Sequence, residues 1–106
     1  AHYERARSSR GGLVLLRDIR HPLQAFDQHM LAWAAEAALP VHVLLTKADK
    51  LHRGPAQAAL LGVRREVARM GLAEVTAQTF SAHTGLGLAA LEARLADWLV
   101  GGLAAS

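Results

Sequence analysis

Two short runs constrain the fold more than anything else in the chain: Gly12-Leu13-Val14-Leu15-Leu16 and Val41-His42-Val43-Leu44-Leu45. Their apolar residues are continuous rather than alternating, the pattern of strands covered on both faces in a parallel sheet flanked by helices. A third segment, Val75-Thr76-Ala77-Gln78-Thr79-Phe80, alternates and reads as an edge strand. Between these runs the apolar period changes to that of a helix. Leu23, Phe26, Met30, Leu31 and Ala34 recur at three- and four-residue steps, with Pro22 at the start and Pro40 as a stop. Leu60, Leu61, Val63 and Val67 face inward on a second helix from about Pro55 to Met70, closed by Gly71. A last helix carries Leu88, Leu91, Leu95, Trp98 and Leu99, and residues 101–106 are expected to fray into a flexible tail. Trp33 and Trp98 fall in these stripes and read as core, while residues 2–10 read as the end of a further helix. The order βαβαβα predicts one α/β unit of three layers: three parallel strands, joined by right-handed crossovers, with flanking helices.

Composition narrows the classes of function. A chain of 106 residues has room for one small domain. Its apolar runs are a few residues long, far below the roughly 20 that cross a bilayer. The start, Ala1-His2-Tyr3-Glu4-Arg5-Ala6-Arg7, lacks the apolar centre of a signal peptide. Zero cysteines exclude a disulfide framework or thiolate metal site, and they suit a reducing cytoplasm. Arg5, Arg7, Arg10, Arg17 and Arg20 crowd the beginning against only Glu4 and Asp18, a charge balance that could meet RNA phosphates. A solvated helix face accounts for it equally, and Tyr3 stands alone where interleaved aromatics would be needed for base stacking. The histidines, His21, His29, His42, His52 and His83 among them, show no ligand spacing, and Ser81 has no Gly-x-Ser-x-Gly elbow. Neither a metal centre nor a catalytic residue is expected.

Chemistry gathers where the strands end, and in open α/β sheets ligands bind beyond the carboxyl ends of the strands. The second run ends in Thr46-Lys47-Ala48-Asp49-Lys50, a form of the (Asn/Thr)-Lys-x-Asp pattern, and the third in Phe80-Ser81-Ala82-His83-Thr84-Gly85. Asp49 would offer two carboxylate oxygens to the adjacent N1–H and N2 donors of guanine, which adenine lacks. Lys47 would lay its methylene stem over the base. The N–H of Ala82 would donate to the guanine O6, with Ser81 steadying Asp49 or the loop and Gly85 turning the chain. Thr46, Lys47, Asp49, Ser81 and Ala82 are the candidate guanine-binding residues. Either motif alone is a weak signal; a crossover apart, each after a strand, they reinforce one another.

The first strand adds Asp18-Ile19-Arg20-His21-Pro22-Leu23, with Asp27 following. Together with Val43-Leu44-Leu45-Thr46-Lys47-Ala48-Asp49-Lys50-Leu51 and Phe80-Ser81-Ala82, these residues resemble the EngB (YihA, YsxC) family of bacterial P-loop GTPases over residues 3–100. Thr at position 46 in place of Asn is that family's habit. The resemblance implies GTP binding and Mg²⁺-dependent hydrolysis, a role in large ribosomal subunit assembly, and through it normal cell division and septation. Asp18 and Arg20 match a family signature and are expected to fix the strand-to-helix turn.

The family's phosphate machinery has no counterpart here. No Gly-x-x-x-x-Gly-Lys-(Ser/Thr) occurs, Arg10-Gly11-Gly12 precedes a strand rather than following one, and the Asp-x-x-Gly element and the switch threonine are missing. The resemblance therefore implies the C-terminal half of a G domain, spanning 1–106, which binds GTP or GDP weakly, lacks Mg²⁺ ligands and does not hydrolyse GTP alone. In such a half the edge of Leu13–Leu16 would lie open, inviting self-association or pairing with a separately supplied N-terminal half. Three classes of function follow: guanine-nucleotide recognition, with the large ribosomal subunit or rRNA as a family partner; an interaction module using the strand edge; and weak RNA binding through the basic start.

Overall fold

The computed structural model describes residues 12–72 and 74–105, of which 100–105 by backbone alone. The elements run β1 (Leu13–Asp18), α1 (Ala25–Glu36), β2 (Val41–Thr46), α2 (Arg53–Arg69), β3 (Val75–Thr79) and α3 (Leu88–Ala105). A 3-10 turn at Ala48–Lys50, which the hydrophobic pattern does not announce, joins β2 to α2. Arg5, Arg7 and Arg10 of the basic start, with the helix end expected over residues 2–10, lie outside the described residues.

The three strands form one parallel sheet in the order β1-β2-β3. Leu13 lies opposite Val41 and Asp18 opposite Thr46, so β1 and β2 end together. The expected α/β order is thus observed, with β3 at one edge and β2 in the centre. Strand alternation divides the core into two faces. Leu13, Leu15, Val41, Val43, Leu45 and Ala77 join Leu31 and Ala34 of α1 and Leu60, Val63 and Val67 of α2 in one apolar cluster. Fully burying each leucine there contributes roughly 1.5–3 kcal/mol. Val14, His42 and Leu44 alternate with those residues and are buried on the opposite face. Here Trp98 of α3 comes so close to Gly12 that a methyl group on Gly12 would fall 2.9 Å from the indole ring.

The helix ends follow backbone chemistry. The Gln24 N–H donates to Asp27 Oδ2 at 2.9 Å, so α1 begins three residues after Pro22 rather than at it. α2 starts two residues before Pro55, a tolerated place because the first-turn N–H groups have no intrahelical acceptor. It ends as expected at Gly71 (φ 74), whose N–H donates to Ala68 O while Leu72 N–H donates to Val67 O. α3 runs on through Gly101-Gly102 to Ala105, past the point where those glycines, each costing about 1 kcal/mol against alanine, were expected to fray it.

Several residues read as inward-facing point to solvent. Phe26 is 58% and Trp33 54% exposed, and Leu61, Leu88 and Leu99 are also exposed. The helix contacts the sheet through a narrow strip, Asp27, Leu31 and Ala34. At 100° per residue, positions 26 and 33 lie about 140–160° around the axis from Leu31. Apolar spacing alone could not tell these two sides of α1 apart. Trp98 does pack, half-buried, as expected.

Candidate functional site

At the carboxyl ends of the strands, main-chain bonds fasten two loops to one another. The Phe80 N–H donates to Leu45 O at 2.8 Å, and the buried Ala48 donates its N–H to Phe80 O at 3.0 Å. The Lys-x-Asp turn after β2 and the Ser-Ala turn after β3 therefore form one rim. Their spacing is fixed by backbone rather than by long side chains.

Each candidate side chain can be placed on that rim. Asp49 is exposed in the 3-10 turn, and Ser81, fully buried, donates its hydroxyl to Asp49 Oδ1 at 2.7 Å. Ser81 Oγ in turn accepts the Thr84 N–H at 3.2 Å, so its hydroxyl is oriented from below. The Ser81 hydrogen bond is the main cause holding the Asp49 carboxyl below its ordinary value of 3.8. Ala82 follows Ser81 and is exposed; among the described residues no acceptor takes its N–H. Lys47 has φ 60 and ψ 36, left-handed backbone that costs an L-residue roughly 1–2 kcal/mol and that occurs repeatedly at ligand-binding turns. Its side chain is exposed, with Nζ 3.8 Å from Asp18 Oδ2. Thr46 differs from the other four. Its hydroxyl donates to Arg17 O at 3.2 Å, clipping β2 to β1.

The turn after β3 is closed from behind. Gly85 N–H donates to Ser81 O at 2.8 Å and Ser81 N–H to Leu86 O at 3.0 Å. Gly87 has φ 80, and a methyl there would fall onto the Thr79 carbonyl oxygen, so the close approach admits only glycine. Gln78 Nε2 donates to Gly87 O at 2.8 Å and locks the same corner.

On the β1 side, Asp18 accepts the Arg20 N–H and the Arg20 Nε–H, both at 2.9 Å on Oδ1, and the guanidinium again on Oδ2 at 2.6 Å. These bonds hold the Asp18 carboxyl far below the usual carboxylate range. Beneath the turn, Arg17 Nε lies 3.1 Å from Oδ2 of the fully buried Asp27. The same guanidinium donates to Pro22 O at 3.3 Å and His21 O at 3.2 Å.

What this rim can do is bounded by its donors and acceptors. It offers an ionised carboxylate, a backbone donor two short turns away and a flexible cation on a long apolar stem, a set that suits a planar base. Among the described residues no group of three or more His, Cys, Asp or Glu could hold a metal ion.

No protein-family profile matches the chain. Curated proteins do. The chain is 46% identical over 92% of its length to the probable GTP-binding protein EngB of Aromatoleum aromaticum, covering 45% of that protein. It is 45% identical over 97% of its length to the Vibrio cholerae protein of the same name, covering 46% of it. Against the Acinetobacter baumannii one it is 53% identical over 88%, covering 44%. The chain matches one half of an EngB protein. It spans about half the length of the curated relatives it matches.

In this chain, Asp49 and Ser81 are in direct contact, Lys47 and Ala82 sit on the same rim, and Thr46 turns aside to β1. Sequence reasoning had no access to the left-handed Lys47 or to the ion pair between Arg17 and Asp27. The second had a faint signal, since an arginine ending an apolar strand and an aspartate at a helix start suggest a partnership. The expectation that Asp18 and Arg20 fix the turn matches their hydrogen bonds, and the reach from Asp18 to Lys47 goes further.

Proposed function

We propose that the rim formed by Lys47, Asp49, Ser81 and Ala82 binds the base of a guanine nucleotide, with Thr46 holding the rim in place from behind. The observation that carries this reading is the Ser81–Asp49 hydrogen bond, which keeps an exposed carboxylate ionised and oriented beside the available N–H of Ala82. Guanine matches that pair, with N1–H and N2 donors for the carboxylate and O6 for the N–H. Adenine would set its amino group against the Ala82 donor. The kinship with proteins named GTP-binding supports the same choice.

Affinity in this chain is weak, because the charge-assisted phosphate bonds of a P-loop, about 1.5–3 kcal/mol each, have no residues to make them. For the same reason the chain does not hydrolyse GTP by itself. As half of an EngB protein it serves a whole-protein role in large ribosomal subunit assembly and cell division, in the cytoplasm, where a cysteine-free chain fits the reducing conditions. Calorimetric titration tests the base reading. GDP binds at least about tenfold more tightly than ADP, and Asp49→Ala erases the difference. Equal affinities in the parent chain defeat it.

A second reading concerns the flank rather than the rim. Among the described residues no strand lies outside β1, whose Leu13, Val14 and Leu15 are buried, and the neighbouring α1 exposes Trp33. This edge pairs with another polypeptide, a second copy or the remaining half of a full-length relative. Nucleotide leaves that association unchanged.

A further inference from the structure

A cavity of about 530 Å³ opens around the outer edge of β3, the edge strand among the described residues, between α2 and α3. It is separate from the guanine rim. His42 in its wall lies four residues before Thr46, about 13 Å down the strand.

Two guanidiniums, Arg64 from α2 and Arg94 from α3, line this cavity, and among the described residues its lining contains no carboxylate. Among the described residues neither arginine has a carboxylate partner; the ion pairs use Arg17, Arg20, Lys47 and Arg69 instead. Arg64 spends one donor on the Ala77 carbonyl oxygen at 3.3 Å, leaving four of its five N–H groups. That bond also occupies an edge carbonyl, which disfavours addition of a further strand there.

The polar wall is ordered. Gln78 Nε2 donates to two carbonyl oxygens, those of Gly87 and Thr79, so its Oε1 is the atom that faces His42 Nε2 at 2.6 Å. His42 therefore carries its proton on Nε2 and accepts the Thr76 hydroxyl at Nδ1, 2.7 Å away. Burial, with the charge of Arg94, pushes the imidazole below its usual range and keeps it neutral. The positive charge in the cavity therefore belongs to the arginines. The floor is apolar, with Val67, Leu72 and Val75.

We propose that this cavity is a binding site for a small organic anion, a carboxylate or phosphate carried on an apolar body. Charge complementarity argues for the head group, since planar guanidiniums match both anions with paired N–H donors. The apolar floor accepts the body. The site is independent of the base reading and makes no use of Asp49.

Nuclear magnetic resonance titration of the full chain with phenyl phosphate and, separately, with benzoate tests the proposal. Benzyl alcohol serves as the neutral control. One or both anions shift the His42 imidazole and the amides of Thr76 and Gln78 in a saturable way, while benzyl alcohol does not. The stronger of the two identifies the head group. Arg94→Gln and Arg64→Gln each weaken binding by about tenfold, and Asp49→Ala leaves it unchanged. Absence of saturable shifts with both anions overturns the proposal, as does an Arg94→Gln variant that binds as tightly as the parent. Binding of benzyl alcohol with equal strength would mean a merely apolar cavity and also overturns it.

Discussion

The two flanks of the central strand β2 are finished in different ways. Toward β3, main-chain bonds join the loops, Ser81 fixes Asp49, and Gly87 permits a contact that any side chain would block. Toward β1, a single main-chain bond, Ile19 N–H to Thr46 O at 2.9 Å, is supplemented by side chains: Thr46 to Arg17 O, Lys47 to Asp18, and Arg17 to the buried Asp27. That flank also exposes apolar surface on α1. The β2–β3 rim is thus held rigid where base binding is proposed, whereas the β1 flank leans more on ion pairs, as suits the proposed contact with another polypeptide.

The most severe test of this contrast is Asp27→Ala. It leaves Arg17, only 12% exposed, without its buried partner and removes the acceptor of the Gln24 N–H. Unfolding in urea should show a loss of about 3–5 kcal/mol. A loss below about 1 kcal/mol would mean that the β1 flank does not rely on this pair. On the opposite flank, Gly87→Ala drives a methyl into the Thr79 carbonyl at φ 80 and should cost about 1–3 kcal/mol. Guanine selectivity should fall with it. Unchanged stability would show that the β3 corner can yield.

Ser81→Ala acts within the rim with less effect on the fold. The Asp49 carboxyl, lowered mainly by the Ser81 hydroxyl, should rise toward 3.8 when followed by NMR titration. The sign follows from the lowered value: the carboxylate's contribution is complete above 3.8 and is lost as the pH falls through its folded-state value. In the variant that loss moves to higher pH, and GDP binding weakens about three- to tenfold. A carboxyl that titrates unchanged would remove Ser81 from the account. The smallest stability effect belongs to Trp33→Ser, within about 0.5 kcal/mol because the indole is 54% exposed. Light scattering should nevertheless show less self-association than in the parent chain; equal association would detach α1 from the interaction surface.

Much of this was legible in the chain. Continuous apolar runs at Leu13–Leu16 and Val41–Leu45 identified parallel strands because a strand buried on both faces leaves no polar alternation. Gly71 marked the end of α2 through its left-handed backbone. Asp49, Ser81 and Ala82 stand out in the sequence because polar residues there follow strands, and the contact of Asp49 with Ser81 brings two of them together. Phe26, Trp33 and Leu61 were misread because periodicity gives the angle of a residue on its helix but not which angle meets the sheet. Lys47 in left-handed backbone was hidden for another reason. Lysine has no preference for that region, so only the surrounding hydrogen bonds impose it. The anion cavity draws Arg64 and Arg94 from separate helices, and no local pattern connects them.

Amide chemical shifts during parallel GDP and ADP titrations decide whether the β2–β3 rim selects guanine as proposed. GDP should move Asp49, Ser81 and Ala82 while ADP leaves them in place. Equal movement with both nucleotides, or shifts confined to His42 and Arg94, would contradict it.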